Sequence, residues 1–206
     1  MSKRANRKFS ISRRIGEALW GSDRDPYNKK NYPPGQHGAS SFSKRKSEYG
    51  RQLLAKQTLK MYYGDIREKQ FRSIFAEAKR VRGDTGENLI GLLESRLDAF
   101  IYRCKLVPTV FAARQFVSHK HVMVNGETVN IPSYFLKVND VVEVNAKSKD
   151  RVSIADALSR EDRKVPGYIA FDEANLQATY KRIPVLTDVP YPVVIEPHHI
   201  VEFYSR

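Results

Sequence analysis

Cysteine is almost absent from this chain: Cys104 stands alone among 206 residues. A single thiol builds no disulfide framework, so a reducing compartment is expected. Long apolar runs are missing too, so no membrane span is expected. The opening MSKRANRKFSISRR lacks the apolar core of a secretory signal. Phosphate-cradling glycine loops, the GxSxG elbow and the HExxH pair do not occur. The histidines are His37, His119, His121, His198 and His199. On any strand holding both, His119 and His121 point to opposite faces, which argues against a shared metal. No catalytic residue, no cofactor and no metal are therefore expected. Acidic residues are scarce early in the chain: residues 1–82 hold 7 Asp and Glu against 21 Lys and Arg. The remaining residues hold 16 acids against 15 bases, so the net charge of +13 arises in the first two-fifths. A surplus packed so tightly points to a nucleic-acid partner more than to a solubilising face.

What is present reads in four segments. Residues 1–46 form a basic arm rich in Pro, Gly and Ser, expected to be extended and largely mobile until it meets a polyanion. Its interleaved Phe9, Trp20, Tyr27, Tyr32 and Phe42 suit either base stacking or local packing. Residues 47–95, joined by the tail 198–206, read as a helical domain. The spacing predicts a helix over 47–63 and another over 66–82, capped by Asp65 with Glu68 as its return partner. In the second helix Phe71, Ile74, Phe75 and Ala78 form the apolar stripe, and Arg67, Lys69, Arg72 and Lys79 lie outside it.

A third helix is expected over 86–105, with Cys104 as a buried small hydrophobe, and a short fourth over Val110–Ser118 after the Thr109 cap. The period then changes from 3.6 to 2. Asn125-Gly126 between alternating residues predicts a type I′ hairpin, and Val141–Val144 a further strand. Beyond it, a short helix is expected near 154–159, strands at 168–171 and 177–181, and an extended path over 184–197, where prolines recur. Segment 96–157 is thus one module, and 158–197 completes its domain. The fold class is α+β: an N-terminal helical domain and an inserted helix–helix–hairpin module with a small, mostly antiparallel sheet.

Arg96-Leu97-Asp98, Tyr102-Arg103, Ala113-Arg114-Gln115, Val117-Ser118-His119-Lys120, Val124-Asn125-Gly126 and Asn139-Asp140-Val141-Val142 together resemble the RNA-binding module named after ribosomal protein S-four. Tyr32-Pro33-Pro34-Gly35-Gln36-His37-Gly38, Thr85-Gly86-Glu87-Asn88-Leu89 and the ending Ile200–Arg206 resemble the bacterial-type S-four ribosomal family itself. The resemblance implies binding to small-subunit rRNA at a multi-helix junction early in assembly, contacts with neighbouring ribosomal proteins, a role in decoding accuracy, and in some members repression of the protein's own mRNA. It implies a cytoplasmic, ribosome-bound location. Some members carry a four-cysteine zinc knuckle near the N-terminus. This chain has none there, so packing around Trp20 and Tyr32, together with RNA, is expected to hold the arm.

The residues expected to touch RNA are Gly35, Gln36, His37, Lys44, Arg45, Lys46, Lys56 and Arg72 in the first half, and Arg96, Arg103, Arg114, Gln115, Ser118, His119 and Lys120 in the module. Arg, Lys, amide and hydroxyl donors suit phosphate and 2′-OH contacts, which read RNA shape. Two other readings remain. Arg96-Leu97-Asp98 also resembles the catalytic motif of pseudouridine synthases, with Asp98 acting on uridine. A free RNA chaperone or repressor shares the binding physics and differs only in residence.

Overall fold

The computed structural model describes residues 8–41, 47–149, 152–160 and 163–205. It divides into two compact units: residues up to Glu77 with Tyr191–Arg206, and Ala78–Pro190. Among the described residues no helix is long and apolar enough to cross a membrane.

In the first unit, residues 8–41 carry more structure than an extended arm. Helix α1 (Ser10–Ile15) ends at Gly16, whose φ of 85° suits a left-handed cap. Ile11 and Leu19 are buried. Trp20 meets Phe9 edge-on at 6.0 Å and donates its Nε1–H to the Tyr62 carbonyl. Asp25 caps a 3-10 turn at Pro26–Asn28, and α2 is the single turn Gly38–Ser41. Residues 8–41 thus hold short helices and turns where an extended course is expected, because a handful of apolar side chains find partners that sequence proximity does not reveal.

Helix α3 (Glu48–Tyr62) starts on Ser47, whose hydroxyl accepts the Gly50 N–H. Helix α4 (Glu68–Arg80) begins later than the capping pattern predicts. Gly64 and Asp65 both adopt positive φ, 79° and 59°, to turn the chain. Ile66 then donates its N–H back to the Lys60 carbonyl and buries its side chain fully. Glu68 faces α3, where it accepts from Lys56 and Lys60. The tail forms α9 (Pro197–Ser205), with Tyr204 4.6 Å from Phe75 and Phe203 5.7 Å from Tyr49.

In the second unit, the expected 86–105 helix is two. Helix α5 (Thr85–Glu94), capped by Asp84, stops at Ser95, and α6 (Leu97–Arg103) restarts after Arg96. Arg96 is extended (φ −70°, ψ 139°) and bridges Phe135 in an antiparallel pair. Leu97 N–H reaches Tyr134 O at 2.8 Å, and Leu136 N–H reaches Ser95 O at 2.8 Å. Helix α7 (Val110–Ser118) follows its Thr109 cap. Strands β1 (Val122–Val124), β2 (Glu127–Thr128), β3 (Val141–Val144), β4 (Ile169–Asp172) and β5 (Gln177–Tyr180) form one antiparallel sheet in the order β2-β1-β3-β5-β4.

The hairpin turn has φ 50° at Asn125 and 84° at Gly126, as type I′ requires. Val122, Val124, Val142, Val144, Ile169, Ala178 and Tyr180 are the sheet's buried residues, and Phe100 of α6 meets Tyr180 edge-on at 5.9 Å. Helix α8 (Val152–Leu158) and a 3-10 turn at Leu186–Asp188 complete the unit. The division at Glu77–Ala78 places α5 in the second unit. Its terminal Glu94 and Ser95 are tied to Arg103, Tyr168 and Tyr180, all within the second unit.

Candidate RNA interface

The exposed end of α7 brings several predicted residues together. Gln115, His119 and Lys120 are exposed. Lys120 has a φ of 63°, so the chain reverses there into His121 and β1. Phe116 and Val117 anchor the opposite side of the same turn in the core. His121, two residues on, is fixed by a 2.9 Å hydrogen bond between its Nδ1 and Ser148 Oγ and by Phe116 at 5.0 Å. Ser118 is half-buried, and its hydroxyl donates to the Arg114 carbonyl at 2.8 Å. The hairpin tip is tied to the start of β3: Asn125 donates to Asp140 Oδ1 at 2.9 Å and accepts the Val141 N–H at 2.9 Å.

Arg114 is partly exposed, and its Nε lies 3.6 Å from Asp98 Oδ2. Asp98 is buried, and Arg96 reaches it with Nε at 3.0 Å and Nη2 at 2.6 Å. Arg96 is completely buried, so its expected RNA contact is corrected: it is an internal ion-pair partner. Arg103 is corrected likewise. It donates to both Glu94 oxygens at 3.0 and 2.7 Å, and Tyr168 O–H adds a third bond to Glu94. Burial raises the Tyr180 hydroxyl pKa to about 12, with Ser95 and Glu94 as its polar neighbours. Burial likewise pushes the Cys104 thiol well up, consistent with a small hydrophobe and not a nucleophile.

In the first unit, Tyr32-Pro33-Pro34-Gly35 forms a tight loop. Arg13 donates from Nε to Tyr32 O at 2.9 Å and lies 4.9 Å over the Tyr32 ring. Gly38 closes the loop through its N–H to Gly35 O, and a Cβ there would sit 1.9 Å from Pro33 O. Gly35, Gln36 and His37 are exposed at the tip. Sequence reading missed Arg13; its Tyr32 partner is 19 residues away, and no local signal marks the pair.

On α4, Arg72 is exposed together with Arg67 and Lys69 near the start of the helix. Lys56 is corrected: it is buried, 2.9 Å from Glu68 Oε1 and 4.0 Å over the Phe203 ring. Burial opposes ionisation of Glu68, but hydrogen bonds from Lys60, Tyr204 and Lys56 outweigh it and bring its pKa to about 2. Lys44, Arg45 and Lys46 lie outside the described residues.

These surfaces offer cations, amides and imidazoles without an arranged nucleophile and base. They suit a polyanion with a defined shape. Comparison with known proteins agrees in kind. The family model described as the ribosomal protein S4/S9 N-terminal domain matches residues 3–94, and that of the S4 domain matches residues 95–142. The small ribosomal subunit protein uS4 of Sinorhizobium fredii (strain NBRC 101917 / NGR234) is 62% identical over 206 residues, covering 100% of both chains. Those of Rhizobium meliloti (strain 1021) and Ruegeria sp. (strain TM1040) are 61% and 58% identical, again over 100% of both chains. With relatives this similar along the whole length, the chain belongs to the small ribosomal subunit protein uS4 family.

Proposed function

We propose that this chain, as a structural constituent of the small ribosomal subunit, binds rRNA directly at a multi-helix junction and helps nucleate assembly of the subunit body. The observation that carries this reading is the rigid α7 end. There Gln115, His119 and Lys120 project from a turn held by Phe116, Val117 and the His121–Ser148 hydrogen bond. A preorganised donor set loses little conformational freedom on binding and reads backbone spacing. The exposed Gly35-Gln36-His37 tip and the exposed cations Arg67, Lys69 and Arg72 at the start of α4 supply further donors. Lys44, Arg45 and Lys46 add cations by composition. Neighbouring small-subunit proteins are further partners, with an effect on decoding accuracy. The protein's own mRNA is a secondary ligand of the same surfaces. The setting is ribosome-bound in the cytoplasm.

The test is binding of the full chain to a small-subunit rRNA junction fragment across a salt series, with hydroxyl-radical footprinting at low salt. Six to ten neutralised phosphates predict a loss of about 10³–10⁵ in affinity between about 50 and 200 mM salt. A flat salt response, or no protected junction, overturns the reading.

The uridine-isomerase reading loses its residue. Asp98 is buried, its two oxygens are taken by Arg96, and Oδ1 also accepts the Ala99 N–H. It faces no surface on which a base could lie.

A further inference from the structure

We propose that Glu196, His198 and His199, where the chain enters α9, form a binding site for a first-row divalent transition-metal ion such as Zn(II). The absence of clustered cysteines and of HExxH led sequence reading away from any metal. Folding supplies what spacing did not. The Glu196 carboxylate, His198 and His199 each offer a ligand atom, all within 4.8 Å of one another. Glu196 Oε2 lies 3.6 Å from His199 Nε2, and the two imidazole centroids are 4.2 Å apart.

Two ligands bonded at about 2.0–2.1 Å at a tetrahedral angle stand about 3.3 Å apart. An exposed Glu196 and His198 close that difference by small side-chain rotations. Two imidazoles and a carboxylate, with water in the fourth position, make an ordinary N/O zinc set. Imidazole nitrogen also selects against Mg(II) and Ca(II), which prefer all-oxygen shells.

His199 separates this cluster from a chance grouping of surface side chains. It is only 19% exposed, and its two ring nitrogens face different carboxylates. Nε2 faces Glu196, whereas Nδ1 faces Glu202 Oε2 at 3.5 Å. Glu202 in turn accepts from Gln52 Nε2 of α3 at 3.0 Å. This is the carboxylate–histidine arrangement that fixes the ring and raises the basicity of the ligating nitrogen.

A second triad of Glu48, His199 and Glu202 shares the same imidazole. There Glu48 is paired with Arg51 and Glu202 with Gln52, so that side serves as the brace and the Glu196–His198 side as the ligand face. The positive end of the α9 dipole works against a cation, and the flanking carboxylates offset it. Bound metal would clip Glu196, just before α9, to the helix's first turn and so hold the tail in its docked course on α3.

The experiment is a titration of the untagged full chain with Co(II) and Zn(II), read by visible absorption and calorimetry. One equivalent is expected to bind, with Co(II) d–d bands, while Mg(II) gives none. Glu196→Gln and His198→Ala are each expected to weaken binding at least tenfold with an unchanged far-UV spectrum. Glu48→Gln is expected to leave it within twofold, and Zn(II) to raise the melting temperature of the parent but not of His198→Ala. No stoichiometric binding, wild-type affinity in both ligand variants, or loss on Glu48→Gln instead would overturn the proposal.

Discussion

Removing the Asp98 carboxylate tests the central electrostatic claim about the module. Asp98 is buried and holds Arg96 through two charge-assisted bonds of 3.0 and 2.6 Å. Arg96 is itself fully buried, and its Nη1 has no hydrogen-bond partner among the described residues. In Asp98→Ala the guanidinium keeps its desolvation penalty and loses its counter-charge. Breaking a buried pair from one side costs about 3–5 kcal/mol. Set against a total of about 5–15 kcal/mol for a domain, that is a large share of the stability.

Arg114 cannot take over, because its Nε stands 3.6 Å from the same carboxylate and is also a cation. The damage should be asymmetric. Replacing both partners at once with apolar residues, Arg96→Met with Asp98→Leu, should cost far less, since no charge is left unpaired. Urea unfolding of the full chain at neutral pH, followed by far-UV circular dichroism, measures both variants. A loss below about 1 kcal/mol in Asp98→Ala, or a double variant as unstable as the single one, would refute the reasoning.

Two further outcomes follow from the first unit. The Glu68 carboxylate has its pKa lowered from 4.5 to about 2, so its contribution is complete above 4.5 and is lost as pH falls toward 2. With the side chain 49% exposed, solvent screening limits that contribution to about 1 kcal/mol. Glu68→Gln should flatten the acid limb of a plot of urea midpoint against pH between about 5 and 2, and an unchanged limb would contradict the Lys56, Lys60 and Tyr204 hydrogen bonds as its cause. Gly38→Ala should displace the Pro33 carbonyl, which a Cβ would approach to 1.9 Å. A cost of about 1–3 kcal/mol and faster amide exchange near 32–38 are expected, and exchange identical to the parent would count against the loop geometry.

Local chemistry was legible wherever the deciding contacts were near in sequence. The apolar stripe Phe71, Ile74, Phe75 and Ala78 is buried along α4, and Asn125-Gly126 turns the hairpin. The break between α5 and α6 was illegible for a physical reason. Leu89, Leu93, Leu97, Phe100 and Cys104 keep helical spacing across it, and all five are buried. What interrupts the helix is a backbone pairing with residues 134–136, some forty positions away, which no periodicity records. The start of α4 is displaced from the Asp65-x-x-Glu68 pattern because Gly64 and Asp65 turn the chain with positive φ and Glu68 is bonded to two lysines and Tyr204. The same limit governs the site. A basic side chain advertises its charge but not its partner.

That limit explains how the cations divide. Lys56, Arg96 and Arg103 look like ligands for phosphate by composition, yet each has a carboxylate within 3 Å and is buried. Arg96 and Asp98 are two apart, a spacing that does not face on a helix. They meet only because Arg96 is extended and Asp98 opens the next helix. The pairing is thus a consequence of the same break that the 134–136 segment enforces. A carboxylate that is buried must take a cation inward with it. Lys56 is buried by another route: its partner Glu68 is 49% exposed, and the Phe203 ring 4.0 Å away covers the ammonium. Which bases are buried is therefore set by the partners that the fold brings to them, not by where the chain concentrates its bases.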